Sequence, residues 1–79
     1  MKLNILSLKG PEFDGDVISF NVKTANGEIT VMDNHRPLIT ILKKGTAVIK
    51  EKGGAKKEIS INSGFLEMSR NNTLNVLID

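Results

Sequence analysis

The chain has 79 residues, no cysteine, one histidine and a formal net charge of +2 at pH 7. This length allows a single domain, and the absence of cysteine excludes a disulfide framework or a thiolate metal site. No stretch approaches the roughly 20 apolar residues of a membrane-spanning helix and no signal-peptide core is visible, which predicts a soluble protein.

Apolar residues alternate with a period of two along most of the chain, which is typical of half-buried β-strands. The first clear segment, residues 16–23, is predicted to place Ile18, Phe20 and Val22 on one face. Three later segments show the same alternation, at Ile29 and Val31, at Ile59 and Ile61, and at Leu74, Val76 and Ile78. No segment has helical spacing over three turns, so the sequence predicts an all-β fold.

Turn-forming pairs separate these segments: Gly10–Pro11, Asp14–Gly15, Asn26–Gly27, Gly53–Gly54, Ser63–Gly64 and Asn71–Asn72. Asn26–Gly27 and Gly53–Gly54 each lie between two strand patterns and are predicted to be two-residue hairpin loops. Short strands about every eight to twelve residues indicate two packed sheets or a flattened barrel. We therefore expect residues 1–79 to form one β-sandwich domain, without a linker.

The segment Asp33–Pro37, called the corner below, contains the only histidine, His35. Pro37 restricts the backbone, and Asp33 and Asn34 can turn the chain through hydrogen bonds from side chain to backbone. Two interpretations remain open. The residues alone favour a simple connection between strands, whereas a rigid polar corner carried on a sheet is also typical of a docking surface.

No arrangement of residues indicates catalysis. His35 has no second histidine or cysteine as a companion metal ligand, and no serine lies in a nucleophile motif. The acids Glu12, Asp14 and Asp16 are most simply an exposed turn. Residues 9–11 lack the spaced glycines and the lysine of a phosphate-binding loop. The sequence therefore predicts no catalytic residue, no metal and no cofactor.

Lysines are concentrated between residues 43 and 57, where they fit a solvated hairpin that discourages edge-to-edge strand pairing. The alternative is a small β-barrel module that binds nucleic acid through the hairpin Lys50–Lys57. That alternative requires four lysines, Lys50, Lys52, Lys56 and Lys57, and binding that weakens steeply with salt. With three phenylalanines and neither tyrosine nor tryptophan, the chain offers few stacking platforms. Nucleic acid is therefore not predicted as a partner.

The run GEITVMDNHRPLITILKKG, Gly27–Gly45, resembles the N-terminal domain of the epsilon subunit of F-type ATP synthases, called delta in mitochondria. The shared pattern is Gly-Glu, apolar alternation, His-x-Pro-Leu, a threonine and Leu-Lys-x-Gly. The runs PEFDGDVISFNV and NSGFLEMSRNNTLNVLID match the same family in the correct order, so the resemblance extends from Leu3 to Asp79. It implies a flattened sandwich of about ten short strands.

The resemblance implies a non-catalytic rotor subunit of the central stalk, which docks the gamma subunit onto the c-ring and couples proton-driven rotation to ATP synthesis. The implied partners are gamma and the polar loops of the c-ring. The subunit would be monomeric within the complex, without membrane insertion, at the cytoplasmic face of the bacterial inner membrane. The family often has a proline at the position of Asp33, so the turn here is expected to be less rigid.

The resemblance also assigns individual residues. The residues expected to face the c-ring are Glu28, Asp33, Asn34 and His35, and those expected to face gamma are Arg36 and Thr40. The structural turn positions are Gly27, Pro37, Gly45 and Gly64. Family members commonly continue after VLID into a helical hairpin, which is absent from this sequence. The inhibition and ATP sensing performed by that hairpin therefore cannot be carried over to this sequence, and a naturally short form and a chain cut at the domain boundary both remain open.

Overall fold

The computed structural model describes residues 1–79 and contains eight β-strands and no helix. The strands are β1 (Lys2–Ser7), β2 (Gly10–Thr24), β3 (Gly27–Met32), β4 (Leu38–Leu42), β5 (Gly45–Glu51), β6 (Lys56–Ile61), β7 (Gly64–Met68) and β8 (Thr73–Ile78). The predicted all-β class is confirmed. The expected number of about ten strands was too high, chiefly because β2 continues without interruption for 15 residues.

The turns predicted at Gly10–Pro11 and Asp14–Gly15 are wrong, because both pairs lie within β2. The actual turn, Leu8–Lys9, comes just before them. Pairing with β1 keeps the chain extended here, with Leu3 opposite Gly15. Long-range strand pairing thus outweighs the local turn preference of these residues.

A bulge in β2 changes which residues face the core. Strand β5 pairs with Val17 and Ser19 but skips Ile18, which is therefore the extra residue of the bulge. Ile18 points outward and is 46% exposed, whereas Val17 is fully buried. The predicted inward position of Ile18 is wrong, while Phe20 and Val22 are buried as predicted.

The long strand β2 connects the two layers of the fold because its halves pair with different partners. Its first half pairs with β1, and its second half lies between β3 and β5. The hydrogen-bonded order is β1-β8-β7-β4-β2-β5-β6, and the additional pairing of β1 with β2 gives the sheet a barrel-like closure. Only β1 and β8 are parallel to each other. Strands β3 and β6 remain as the free edges of the sheet.

One hydrophobic core of 15 buried residues lies inside this closure, with the Phe20 ring as its largest fully buried side chain. The alternation predicted for β3, β6 and β8 is confirmed. Its buried members are Val31, Ile61, Leu74 and Val76, and Ile29, Ile59 and Ile78 pack half-buried against the core. Burying each such side chain stabilises the fold by roughly 1.5–3 kcal/mol.

Both predicted hairpins form, but with different loops. The loop between β2 and β3 is Ala25–Asn26, and Gly27 begins β3 with a φ of 114°. The Thr24 hydroxyl accepts a hydrogen bond from the Asn26 N–H and donates one to the Gly27 carbonyl, which fixes the turn one residue earlier than predicted. Gly27 thus supplies the positive φ, although it lies after the loop.

The loop between β5 and β6 has four residues, Lys52–Ala55, instead of the predicted two. Gly53 and Gly54 have φ angles of 97° and 99°. The Glu51 N–H donates to the Ala55 carbonyl at 2.8 Å, and this bond closes the wider loop. Two consecutive residues with positive φ explain why glycine stands at both positions.

Candidate docking surfaces

The corner Asp33–Pro37 connects β3 to β4 and is held in place by residues outside it. The Asp33 carboxylate accepts hydrogen bonds from the Met1 ammonium group and from the Asn72 amide, the latter at 3.4 Å. The Asn72 side-chain oxygen also accepts a hydrogen bond from the Asn34 N–H at 2.7 Å. The predicted bonds from the Asp33 and Asn34 side chains to the local backbone do not form. Met1 and Asn72 engage the Asp33 carboxylate instead, and Asn72 engages the Asn34 N–H.

The backbone of the corner turns at Asn34, whose φ of 61° is left-handed. The His35 N–H donates to the Met32 carbonyl at 3.1 Å and closes the turn. The exposed His35 ring lies with Nδ1 2.7 Å from the Arg36 carbonyl oxygen. Since a carbonyl oxygen only accepts, Nδ1 is the donor in this contact.

The pKa of the Asp33 carboxyl is held below its usual 3.8, first by the hydrogen bond from the Met1 ammonium group and then by that from Asn72. Because the folded-state pKa is the lower one, ionised Asp33 stabilises the fold above the unfolded pKa, and this contribution is lost as the pH falls through the folded pKa. We expect the melting temperature of the wild type to fall more steeply than that of Asp33→Asn between about pH 5 and about pH 2. If the melting temperatures of the two proteins fall equally steeply with pH across that range, the contact between Asp33 and the Met1 ammonium group would be contradicted.

Glu28 lies at the other end of β3 from the corner. The Asn21 amide donates to the Glu28 carboxylate at 3.2 Å and to the Thr30 hydroxyl at 2.9 Å, which orients both side chains on the outer surface. At about 3.3 Å per residue, Glu28 and Asp33 are about 16 Å apart along the strand. The residues of this chain that were predicted to face the c-ring therefore form a strip instead of a compact cluster. We call it the β3 strip: Glu28, Thr30, Met32, Asp33, Asn34 and His35.

The two residues of this chain that were predicted to face gamma lie in different environments. Arg36 is exposed in the corner, whereas Thr40 is half-buried within β4. The exposed side chains of that strand are instead its neighbours Ile39 and Ile41. The outward surface of β4 is therefore apolar. The run LITIL already indicated this, because a strand with apolar residues on both faces must expose some of them.

Strand register aligns four exposed apolar side chains on adjacent strands. Leu6 pairs with Leu77, Leu77 with Phe65, and Phe65 with Ile41. Their exposed fractions are between 41% and 65%. We call these four residues the apolar row. The next row is polar on β1, β8 and β7, where the Asn75 side-chain amide hydrogen-bonds to Asn4 and Glu67 at its two sides, and it ends on β4 with the exposed Ile39.

The lysine-rich hairpin formed by β5 and β6 lies at one edge of the sheet. Lys56 and Lys57 belong to β6, whose outer edge is unpaired. The Lys57 ammonium lies 5.4 Å from the centre of the Phe13 ring and 4.0 Å from the Glu51 carboxylate. These positions suit lysines that protect a free strand edge.

The remaining structural turn positions also have identifiable surroundings. Pro37 directly precedes β4, and Gly45 begins β5 beneath the Lys23 side chain, where a Cβ would lie 2.9 Å from the Lys23 Cδ. Gly64 begins β7 against β8. No group of three or more His, Asp or Glu side chains is placed to hold a metal ion. The structure contains no helix of sufficient length and apolar character to span a membrane.

Residues 1–79 match the family model described as ATP synthase, Delta/Epsilon chain, beta-sandwich domain. The ATP synthase epsilon chain of Sulfurovum sp. (strain NBC37-1) is 33% identical over 73 residues, covering 92% of this chain and 57% of that protein. The ATP synthase epsilon chain of Clostridium kluyveri (strain ATCC 8527) is 35% identical over 79 residues, covering 100% and 59%. The chain therefore spans less than two thirds of the length of these curated relatives.

Solved structures with the same fold come from mitochondrial ATP synthases. A chain in the cryo-EM structure of the Euglena gracilis enzyme (OSCP/F1/c-ring) superposes with a TM-score of 0.87 at 19% identity, covering 96% of this chain and 48% of that one. A chain in the central stalk/c-ring structure of the Tetrahymena thermophila enzyme gives a TM-score of 0.81 at 15% identity, covering 99% and 62%. At these identities the likeness shows the fold.

Proposed function

The chain belongs to the family of ATP synthase delta/epsilon chain β-sandwich domains, and from this premise we propose that it is a rotor component of the central stalk. It docks the gamma subunit onto the polar loops of the c-ring and couples proton-driven rotation to ATP synthesis. It performs no catalysis itself. It works as a single copy at the cytoplasmic face of the bacterial inner membrane, without entering the bilayer.

A rotor component must transmit torque, and the architecture supports that task. One core connects both layers, and the long strand β2 belongs to both of them. The longest connection between strands is the five-residue corner, which Met1 and Asn72 hold from outside. Such a domain has few segments that can bend under load.

The observation that carries the proposal is the apolar row. Four apolar side chains in register across β1, β8, β7 and β4 form a continuous exposed patch on one face of a small domain. Contiguous exposed apolar surface of this kind is typical of protein–protein interfaces. We assign this face to gamma, in place of a contact centred on the half-buried Thr40.

The β3 strip provides a second surface, of polar character, for the loops of the c-ring. Glu28 is exposed and oriented by Asn21, and the ring of His35 is exposed in the corner. A pair between Glu28 and a cationic loop residue at the rim of an interface contributes about 0.2–1 kcal/mol. The strip therefore fixes the orientation of the domain on the ring more than it adds to affinity.

The double variant Glu28→Gln/His35→Ala tests the ring contact. We expect it to keep its circular dichroism spectrum and to bind detergent-solubilised c-ring about three- to tenfold more weakly than wild type, because both polar anchors of the strip are removed. The matched control is Glu58→Gln/Asn62→Ala, which removes one negative charge on the side of β6. Equal ring binding by the wild type and the Glu28/His35 variant would refute the docking role of the strip.

A further inference from the structure

Both arginines of the chain line one groove. It lies between the corner and the turn Ser69–Asn72, has a volume of about 460 Å³, and is bordered by polar side chains and Pro37. Arg36 reaches it from the corner and Arg70 from the turn, which are separated by more than thirty residues in sequence. Asn34 and His35, at the end of the β3 strip, line the same groove together with Ser69 and Asn72.

Neither arginine is neutralised within the chain. The three ion pairs join Met1 to Asp33, Lys2 to Asp14 and Lys57 to Glu51. The acid nearest the groove in sequence, Asp33, is already engaged by the Met1 ammonium group and by Asn72. Neither guanidinium group of the groove is therefore engaged in an ion pair within the chain.

A second cavity of about 480 Å³ continues from the groove along the sandwich and shares Pro37, Ser69 and Arg70 with it. Its walls include the exposed Ile39 side chain and Met68. Ile39 is two residues from Ile41, on the same outward face of β4 as the apolar row. The surface is therefore continuous: the cationic groove adjoins the apolar cavity, and the cavity adjoins the apolar row.

We propose that Arg36 and Arg70 bind a carboxylate side chain of the gamma subunit while a neighbouring apolar side chain of gamma enters the cavity beside Ile39. The planar guanidinium group matches a carboxylate with two parallel hydrogen bonds. This inference rests on the proposed function, since it names the chemistry with which gamma meets this end of the sandwich.

The groove suits a carboxylate better than a phosphate. Phosphate sites commonly use free backbone N–H groups, but the Asn34 N–H is bonded to Asn72 and the His35 N–H to Met32. Glu67 lines the adjoining cavity and lowers the local positive charge. Two guanidinium groups partly offset by one carboxylate complement a single negative charge.

The test is a titration of purified gamma subunit against three folded forms of the chain over a range of salt concentrations. The forms are wild type, Arg36→Gln/Arg70→Gln, and the control Lys50→Gln/Lys56→Gln, which loses the same charge on the β5–β6 hairpin. We expect the arginine variant to bind gamma about tenfold more weakly, with a shallower salt dependence. We expect the control to remain within about twofold of wild type.

Equal affinities of wild type and the arginine variant for gamma would overturn the inference while leaving the proposed function intact. An equally large loss in the lysine control would also overturn it, because net charge would then explain the effect. Absence of wild-type binding to gamma would contradict the proposed function itself. The same three forms are also tested with phosphatidylglycerol vesicles. Arginine-dependent binding to the vesicles but not to gamma would overturn the inference and identify a lipid headgroup as the ligand of the groove.

Discussion

Replacing Gly64 with alanine is expected to destabilise the domain more than any other single methyl addition at a glycine. A Cβ at this position would lie 2.1 Å from the Leu77 carbonyl oxygen and 3.1 Å from the Ile78 Cα. Both atoms belong to the backbone of β8, which cannot move away as a flexible side chain would. Relief of the clash requires β7 to separate from β8 at the pair Gly64–Ile78.

We expect the free energy of unfolding to fall by at least about 3 kcal/mol, since large losses accompany backbone clashes in a core-forming pair of strands. For a domain of this size the melting temperature should fall by at least about 12 °C. The matched control is Gly15→Ala, where a Cβ would contact only the Phe13 ring, at 3.5 Å. It should cost less than about 1 kcal/mol.

Thermal unfolding followed by circular dichroism measures both variants. A Gly64→Ala protein that melts within a few degrees of wild type would show that β7 and β8 are not in such close contact. Similar losses for the Gly64 and Gly15 variants would show that alanine is tolerated poorly for another reason, such as strand twist.

Substituting serine for Ile41 and Phe65 together is expected to remove most of the affinity for gamma. Both side chains belong to the apolar row and are paired with each other across β4 and β7. Burying each in an interface is worth roughly 1.5 kcal/mol, so the double variant should bind gamma about 100-fold more weakly. The fold should persist because both side chains point outward and are at least 41% exposed.

The matched control for this variant is Ile18→Ser/Met32→Ser. These side chains have comparable exposed fractions, 46% and 55%, but lie on β2 and β3, outside the apolar row. Calorimetric titration with gamma should give the control a dissociation constant close to that of wild type. Unchanged affinity in the Ile41/Phe65 variant would show that gamma binds another face, and equal losses in both variants would indicate nonspecific apolar association.

Local patterns were sufficient to predict the fold class but not the course of β2. The alternation of Val31, Leu74 and Val76 against polar neighbours depends only on adjacent residues and was confirmed. The extended conformation at Asp14–Gly15 and the bulge at Ile18 depend on pairing with β1 and β5, which lie elsewhere in the chain. Residue preferences within a short window cannot include those partners.

The candidate docking surfaces could be predicted only where their residues form one short run. Glu28 and His35 lie in such a run, and the structure places both on the surface along β3 and the corner. The apolar row escaped prediction because Leu6 and Leu77 become neighbours only through the parallel pairing of β1 with β8. Arg70 escaped for the same reason, since the turn that carries it meets the corner only in the folded chain.

The role as a rotor component is tested by size-exclusion chromatography of the chain with purified gamma subunit and detergent-solubilised c-ring from one source, at moderate salt. We expect a single complex that contains all three components, with one copy of the chain for each gamma. We also expect this complex to be more stable than gamma with the ring alone. Elution of the folded chain apart from both partners, with or without gamma bound to the ring, would contradict its role as the rotor component that joins them.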